Sequence, residues 1–339
     1  MPAPLRSADH LLNVPDAVVA LSWAPDSSRA VIAGAGGQLW IIGQDGQILE
    51  TLPGHADGTF RAAWQPGGSL IASVGQDGHV RFWAPGGGSV PPAFKAGAGW
   101  VEELSWSPSG EWLAVGAGRV VHLWHRERGW VHRIADHPST VSGFAWRADS
   151  KVLAAAAYGG VRLYDLATAQ LLGELPWKTS MVSLAWSSDS KWVVAGTQEL
   201  AIQVWPYPFE TGQELAMSGY AAKVRELAWH YSGRYLATGG GNEAMVWDCG
   251  GKGPAGSSPR ILEGHTGRIT ALAYQNKGHV LASGGLDSRL FFWNAGTSST
   301  AIRQIRLNSA ITALAASPND QWLLAGCHNG DLALARFPV

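Results

Sequence analysis

The chain has 339 residues, of which 46% are hydrophobic and 15% charged, and its formal net charge is -1. This balance excludes a disordered chain, and the near-zero charge gives no general attraction to nucleic acid or to anionic membranes. The N-terminal MPAPLRSADH has no signal-peptide core, and no apolar run is long enough to cross a bilayer. We therefore expect a cytoplasmic protein that binds neither nucleic acid nor membrane.

Taken in chain order, the sequence repeats a short motif of the form apolar-x-x-apolar-x-aromatic, which is degenerate at its start in residues 59–64 and ends in Ala in residues 311–316. The copies end at positions that are 40 to 45 residues apart, which defines eight units. The eight motifs are residues 18–23, 59–64, 101–106, 141–146, 181–186, 224–229, 269–274 and 311–316.

Each motif is followed by a polar turn and then by two further apolar strands, and most units add a fourth, weaker one. In unit seven these parts read ITALAY, QNKGH, VLASG and RLFFW, with RQIRLN as the fourth strand. The turn residues reverse the chain, and helical periodicity is missing throughout. Each unit is therefore predicted to be a four-stranded antiparallel sheet. Sheets repeated at this period suit radial packing around an axis.

Two units also share the spacing of four other residues. In unit two and unit seven, the His-to-Ser, Ser-to-Asp and Asp-to-Trp steps are 18, 4 and 6 residues. The residues concerned are His55, Ser73, Asp77 and Trp83, and His265, Ser283, Asp287 and Trp293.

With its Gly-His pairs and closing Trp residues, the chain resembles WD40-repeat proteins over nearly its whole length. The resemblance implies a β-propeller in which each of these sets of four is hydrogen-bonded. Unit five has Ala195 and Glu199 at the Ser and Asp positions, unit six has Thr238 and Asn242, and unit four ends in Tyr164. Only units two and seven therefore carry complete sets.

The two ends of the chain are predicted to meet in one sheet. The last unit ends at Phe337 and lacks a fourth strand, while HLLNV at residues 10–14 precedes unit one as a spare strand. We expect this strand to close the last sheet, as in the family. The prediction is a single domain over residues 1–339, an all-β propeller of eight blades with four antiparallel strands each.

Catalytic and metal-binding motifs are missing from the sequence. There is no Gly-x-Ser-x-Gly, no phosphate loop and no paired metal-ligand spacing of His or Cys. Cys249 and Cys327 stand in unrelated settings and are interpreted as reduced packing thiols. We expect no catalytic residue, cofactor or metal. An enzyme or sensor that uses the central channel remains the alternative: acidic residues or His facing the axis would favour it, and Ala, Ser and Thr would count against it.

The remaining candidate is a binding surface. In the family, loops before the first strands and between the second and third strands lie on the narrow face around the channel, where partners commonly dock. Arg and aromatic side chains are enriched among residues that dominate binding energy. The alternative is that these residues bind no partner: the aromatic side chains pack locally and the charged ones are only solvated. The predicted partner-binding residues are Phe60, Trp100, Glu102, Trp177, Lys178, Tyr220, Lys223, Arg225 and Arg268. The function predicted is that of a monomeric, non-catalytic scaffold or adaptor for a protein or peptide.

Overall fold

The computed structural model describes residues 8–97, 99–251 and 253–338. Within these ranges the regular secondary structure is β-strand, and no helix there is long and apolar enough to cross a membrane. The prediction that the N-terminus carries no signal peptide rests largely on residues 1–7, which lie outside the described ranges.

Units one, two and three each form a sheet of four antiparallel strands in chain order. In unit one the second strand is buried except for Arg29, because neighbouring sheets cover both of its faces, whereas in the fourth strand only Leu52 is buried. The strands are β2 (Val18–Trp23), β3 (Arg29–Gly34), β4 (Leu39–Gly43), β5 (Ile48–Leu52), β6 (Thr59–Trp64), β7 (Ile71–Gly75), β8 (His79–Trp83), β9 (Phe94–Lys95), β10 (Glu103–Trp106), β11 (Trp112–Ala117), β12 (Val120–His125) and β13 (Gly129–Ile134).

Units four and five are joined in one six-stranded sheet. Its strands are β14 (Gly143–Trp146), β15 (Val152–Asp165), β16 (Leu171–Trp186), β17 (Trp192–Thr197), β18 (Ile202–Pro206) and β19 (Leu215–Met217). Strand β15 folds back on itself, since the Leu166 N–H donates to the Lys151 carbonyl at 3.1 Å. Strand β16 pairs first with β15 and then with β17, so that it belongs to both units.

This junction corrects the predicted number of blades. The segment between the two halves of β16 stays extended, and Ser180 within it pairs with Tyr158 at the turn of β15. Counted as continuous hydrogen-bonded sheets, the described part of the chain has seven blades. The prediction of eight separate four-stranded blades is therefore wrong, because two of the eight sequence units share one sheet.

The remaining strands form three sheets of four strands each. They are β20 (Leu227–Trp229), β21 (Tyr235–Thr238), β22 (Ala244–Asp248), β23 (Arg260–Leu262), β24 (Ile269–Tyr274), β25 (Val280–Gly285), β26 (Arg289–Asn294), β27 (Ala301–Arg306), β28 (Ile311–Ala316), β29 (Trp322–Cys327), β30 (Asp331–Arg336) and β1 (His10–Asn13). Strand β1 lies antiparallel to β30 at the edge of the sheet of unit eight, with His10 opposite Leu334 and Asn13 opposite Asp331.

Apolar clusters between neighbouring sheets close the ring. Ile32 and Trp40 of unit one pack in one cluster with Leu324 and Leu332 of unit eight. Three of the Trp residues that end first strands also donate a hydrogen bond to the preceding unit: Trp23 to the Ala315 carbonyl at 3.0 Å, Trp106 to the Ala63 carbonyl at 3.1 Å and Trp146 to the Ser105 hydroxyl at 2.9 Å. Such rings therefore hold adjacent sheets together by both apolar contact and hydrogen bonding.

Candidate functional site

First strands from around the ring line a cavity of about 740 Å³ on the axis. Small and apolar residues make up most of its wall, and the hydroxyls among them have structural partners. Ser183 donates to the Val224 carbonyl at 2.8 Å, and Thr312 donates to the Val18 carbonyl at 2.7 Å. These hydroxyls bond one unit to the next, which explains why small polar residues occur here.

Charged residues lie on part of the channel wall. Arg61 and Glu103 form an ion pair at 3.2 Å. Glu226 is buried, and its Oε2 has no hydrogen-bond partner. Burial raises the pKa of Glu226, while the nearby charges of Arg268 and Arg225 act in the opposite direction. The lining contains no His, and no group of three or more potential metal ligands occurs among the described residues.

The mouth of the channel holds a pocket of about 510 Å³ lined by residues of units two to six, which we call the mouth pocket. Phe60 and Tyr158 form part of its wall, with Glu102, Glu103 and Arg225 among the other lining residues. Tyr158 is 53% exposed, although the sequence analysis did not select it. The sequence feature that could have revealed it is a Tyr in the turn between the second and third strands of unit four, a turn in which units two and seven carry Asp.

Trp100 stands beside the mouth pocket and is 56% exposed. Its ring packs on Phe60, with ring centroids 5.5 Å apart and planes tilted by 56°. On its other side, Trp100 and Glu102 border a shallow cleft whose remaining lining residues are Gly97, Gly99, Ala117 and Gly118. The structure thus brings together three residues selected from the sequence: Phe60, Trp100 and Glu102.

The other selected residues are dispersed around the same face. Trp177 is half-buried, with its indole nitrogen 3.4 Å from a Glu199 carboxylate oxygen, and the Lys178 ammonium lies 5.7 Å from its ring. Lys223, Arg225 and Arg268 are exposed. Arg225 and Arg268 also line the channel.

Tyr220 is not available for binding, because it is only 5% exposed. Its hydroxyl accepts a hydrogen bond from the Trp247 indole at 2.9 Å and lies 3.0 Å from the Thr238 hydroxyl. Burial raises the pKa of Tyr220 to about 12, so the phenol stays protonated. Tyr220 precedes Trp247 by 27 residues, whereas His55 precedes Trp83 by 28, and this near match was the overlooked signal. Tyr220 therefore serves in unit six as His does in units two and seven.

The two sets of four are continuous hydrogen-bond chains. In unit two, the Trp83 indole donates to the Ser73 hydroxyl at 2.8 Å, Ser73 lies 2.9 Å from His55 Nε2, and His55 Nδ1 lies 2.8 Å from Asp77. In unit seven, the three corresponding distances are all 2.9 Å. Each chain ties the turn before a first strand to the second and third strands of its own sheet.

Electrostatics keep these chains in one protonation state. Burial lowers the pKa of His55 and of His265, so both imidazoles are neutral near pH 7. Burial acts to raise the pKa of Asp77, but hydrogen bonds from His55 and Arg81 hold it well below its usual range. The chains therefore consist of a neutral imidazole and an ionised carboxylate. Their serines are fully buried and accept hydrogen bonds from Trp, so no substrate can reach them, which suits a structural role.

Stability is expected to fall as the pH drops below about 6.5. Burial lowers the pKa of five histidines, which lie within the fold as neutral groups: His55, His122, His137, His230 and His265. As the pH falls, these histidines bind protons in the unfolded chain before they do so in the folded chain. Each histidine therefore lowers the free energy of unfolding by up to about 1.4 kcal/mol for each pH unit between its unfolded and folded pKa. Urea midpoints should decrease between pH 7.5 and 5.5, and a constant midpoint would contradict the assignment.

Both cysteines are buried and free. Burial raises the pKa of each thiol to about 12, so neither is a reactive thiolate near neutral pH.

Comparison with known sequences agrees with this geometry. Six segments, together more than half of the chain, match the sequence model described as WD40, WD domain, G-beta repeat: residues 46–84, 92–125, 169–205, 213–248, 256–294 and 301–334. The chain belongs to the WD40 family. The matches leave out most of WD40 units one and four, the latter being the unit that ends in Tyr164.

Curated WD40 relatives are similar at a lower level of identity. "Cell division cycle 20.1, cofactor of APC complex" from Arabidopsis thaliana is 26% identical over 250 residues, which are 67% of this chain and 53% of that protein. "B-type cell cycle switch protein ccs52B" from Medicago truncatula is 26% identical over 306 residues, which are 86% of this chain and 60% of that protein. The chain thus spans about half the length of the curated relatives it matches.

A solved structure shows the same fold. The computationally designed Ika8 protein has a TM-score of 0.82 with this chain at 22% sequence identity, and the match covers 98% of both chains. At this identity the likeness concerns the fold alone.

Proposed function

We propose that this chain is a non-catalytic adaptor that binds a segment of a partner protein on the face carrying the mouth pocket. The named relatives support a role within a protein assembly, since one is called a cofactor of the APC complex and another a cell cycle switch protein. The proposal includes a cytoplasmic location and a monomeric ring, with no nucleic acid or membrane among its partners.

The observation that carries the proposal is the exposed Trp100 packed on Phe60 beside an open pocket. A large exposed aromatic ring at a concave site is typical of residues that dominate binding energy. Phe60 lies in strand β6, and the N–H of Val101, next to Trp100, donates to the Gly75 carbonyl at 3.2 Å. A preorganised surface loses little entropy on binding. The proposed contact residues are Phe60, Trp100, Glu102, Trp177, Lys178, Lys223, Arg225 and Arg268, without the buried Tyr220.

The channel does not favour the alternative of an enzyme or a small-molecule sensor. Small and apolar residues form most of its wall, and the hydroxyls of Ser183 and Thr312 are occupied by neighbouring carbonyls. Glu103 is engaged by Arg61. No pair of convergent, matched catalytic groups stands among the lining residues.

Binding of a partner should depend on Trp100 and Arg268 and not on Lys277. Trp100 and Arg268 directly precede the motifs at residues 101–106 and 269–274, whereas Lys277 lies in a turn at the opposite end of the strands. A partner is first captured from the source cells and identified by mass spectrometry, and its affinity is then measured by titration. Truncation of a central Trp or Arg costs upwards of about 2 kcal/mol, or roughly 30-fold in Kd.

Circular dichroism of Trp100→Ala, Arg268→Ala and Lys277→Ala verifies folding before each titration. If Lys277→Ala weakens the complex while Trp100→Ala and Arg268→Ala do not, the partner binds the opposite face and the proposed contact residues are wrong.

A further inference from the structure

A pair of histidines joins units six and seven at the end of the strands opposite to the mouth pocket. His230 follows the first-strand motif of unit six and is only 4% exposed, whereas His279 ends the turn before β25 and is exposed. His230 Nε2 lies 3.1 Å from His279 Nδ1. The ring planes are tilted by only 13° and the ring centroids are 5.2 Å apart, so the two rings meet edge to edge along this hydrogen bond.

Ser232 fixes which nitrogens carry the ring protons. Its backbone N–H lies 3.3 Å from His230 Nδ1, and its hydroxyl oxygen lies 2.7 Å from the same atom. A backbone N–H can only donate, so His230 Nδ1 is an acceptor and the proton of the neutral ring is on Nε2. His230 Nε2 therefore donates to His279 Nδ1, and the bond requires that His279 Nδ1 keep its free electron pair.

The residue at the position of His230 also bridges to the next unit elsewhere in the ring. In unit two, the Gln65 amide donates to the Gly110 carbonyl at 2.7 Å, and in unit seven the Gln275 amide donates to the Asp320 carbonyl at 3.2 Å. A carbonyl still accepts in mild acid, whereas an imidazole nitrogen that binds a proton becomes a donor. Of these three bridges, the one from unit six is therefore the one that depends on pH.

The surroundings direct an added proton to His279. Burial lowers the pKa of His230, the charge of protonated His279 lowers it further, and a backbone hydrogen bond to Gly278 acts in the opposite direction. His230 therefore stays neutral when His279 is protonated. Two N–H groups then face each other, and the hydrogen bond between the rings is lost.

The other ionisable groups near the two rings are phenols and charges that have their own partners or are exposed. Tyr231, Tyr235 and Tyr274 surround the His230 ring, with ring centroids 4.3, 5.8 and 5.4 Å away. The charged groups of the adjoining turns are the ion pairs Lys191–Asp189 and Arg234–Asp248, the Asp320 carboxylate, which accepts backbone N–H groups, and the exposed Lys277. Among the described residues, no carboxylate forms an ion pair with either ring, so nothing offsets a positive charge on His279.

We propose that His230 and His279 form a pH-sensitive latch between units six and seven, closed when His279 is neutral and open when it is protonated. The turn itself stays in place on opening, because the Asp320 carboxylate of unit eight accepts the backbone N–H groups of Lys277 at 2.7 Å and Gly278 at 3.0 Å. Only the His279 ring moves away, which uncovers the edge of His230 beside Tyr231. The latch goes beyond the proposed function, since it requires no partner.

The latch is tested by NMR on the full chain with ¹⁵N-labelled histidine, and His230→Gln identifies the His230 signals. At pH 7.5, both rings should carry their proton on Nε2 and none on Nδ1. The exchange of the His230 Nε2 proton with water is measured by saturation transfer. Its protection is the exchange rate in His279→Ala divided by the rate in the chain under test at the same pH. Circular dichroism verifies folding at each pH.

Protection of the His230 proton should disappear in acid. In the unsubstituted chain it should be about twofold to tenfold at pH 7.5, as expected for one hydrogen bond, and should fall to about one at pH 5.5. His279→Asn should keep its protection at both pH values, because an amide oxygen near the place of Nδ1 accepts without binding a proton. The control His328→Asn removes an exposed histidine from a turn of unit eight and should behave like the unsubstituted chain.

Three results would overturn this inference. They are a proton on His230 Nδ1 at pH 7.5, an equal protection at the two pH values in the unsubstituted chain, and a protection in His279→Asn that falls in acid as it does with histidine. The position of the ring protons at pH 7.5 decides the first of these even if a variant is unstable in acid.

Discussion

Removing residues 1–13 is expected to destabilise the propeller by about 3 kcal/mol or more and to make it aggregate. Strand β1 pairs with β30 over four residues, and Asn13 also donates to an Asp331 carboxylate oxygen at 3.0 Å. Each lost hydrogen bond costs about 0.5–1.5 kcal/mol, and the bared edge of β30 becomes a template for pairing with other chains. Urea unfolding and light scattering measure the two effects.

A matched pair of substitutions separates strand closure from a general effect of truncation. Leu12 packs against the cluster between units one and eight, whereas Leu11 next to it is 65% exposed. Leu12→Asp places a charge against the apolar cluster and should lower the urea midpoint, while Leu11→Asp should not. Equal midpoints for the truncated and full-length chains would show that β1 does not hold the ring together.

Asp287→Ala is expected to cost about 1–3 kcal/mol of folding free energy. The Asp287 side chain is only 6% exposed, lies 2.9 Å from His265 Nδ1, and accepts hydrogen bonds from the backbone N–H groups of Thr266 at 2.8 Å and Arg289 at 3.2 Å. Alanine would leave these donors without their acceptor, and a buried donor without a partner pays its full desolvation cost. Chemical denaturation monitored by circular dichroism gives the change.

The control for this substitution is Asp45→Ala. Asp45 lies exposed in a turn of unit one and accepts one hydrogen bond, from the Gln47 backbone N–H at 3.1 Å. Its loss should change the free energy of unfolding by no more than about 0.5 kcal/mol. If the two substitutions change the free energy of unfolding equally, the hydrogen-bond chain of unit seven makes no specific contribution to stability.

Much of the candidate site could be predicted from spacing, because each unit presents the same positions to the same face. That logic placed Trp100 and Arg268 on one face, and both are exposed residues directly before the repeated motifs at residues 101–106 and 269–274. It failed for Tyr220, since position alone does not reveal whether a ring points outward or replaces a missing His. It also passed over Tyr158, whose exposure depends on a turn that pairs with the next strand across a shift in register.

The sequence by itself determined the strands, the eight repeated units and the two complete hydrogen-bond sets, because alternating apolar residues and fixed polar spacings act within a single unit. The tertiary structure decided what depends on contacts between units. The pairing of Tyr158 with Ser180 joins two units and sets the number of sheets at seven. The ion pair of Arg61 with Glu103 likewise joins strands of two neighbouring units. Such partners come from segments about 20 to 40 residues apart, whose relative positions no local pattern specifies.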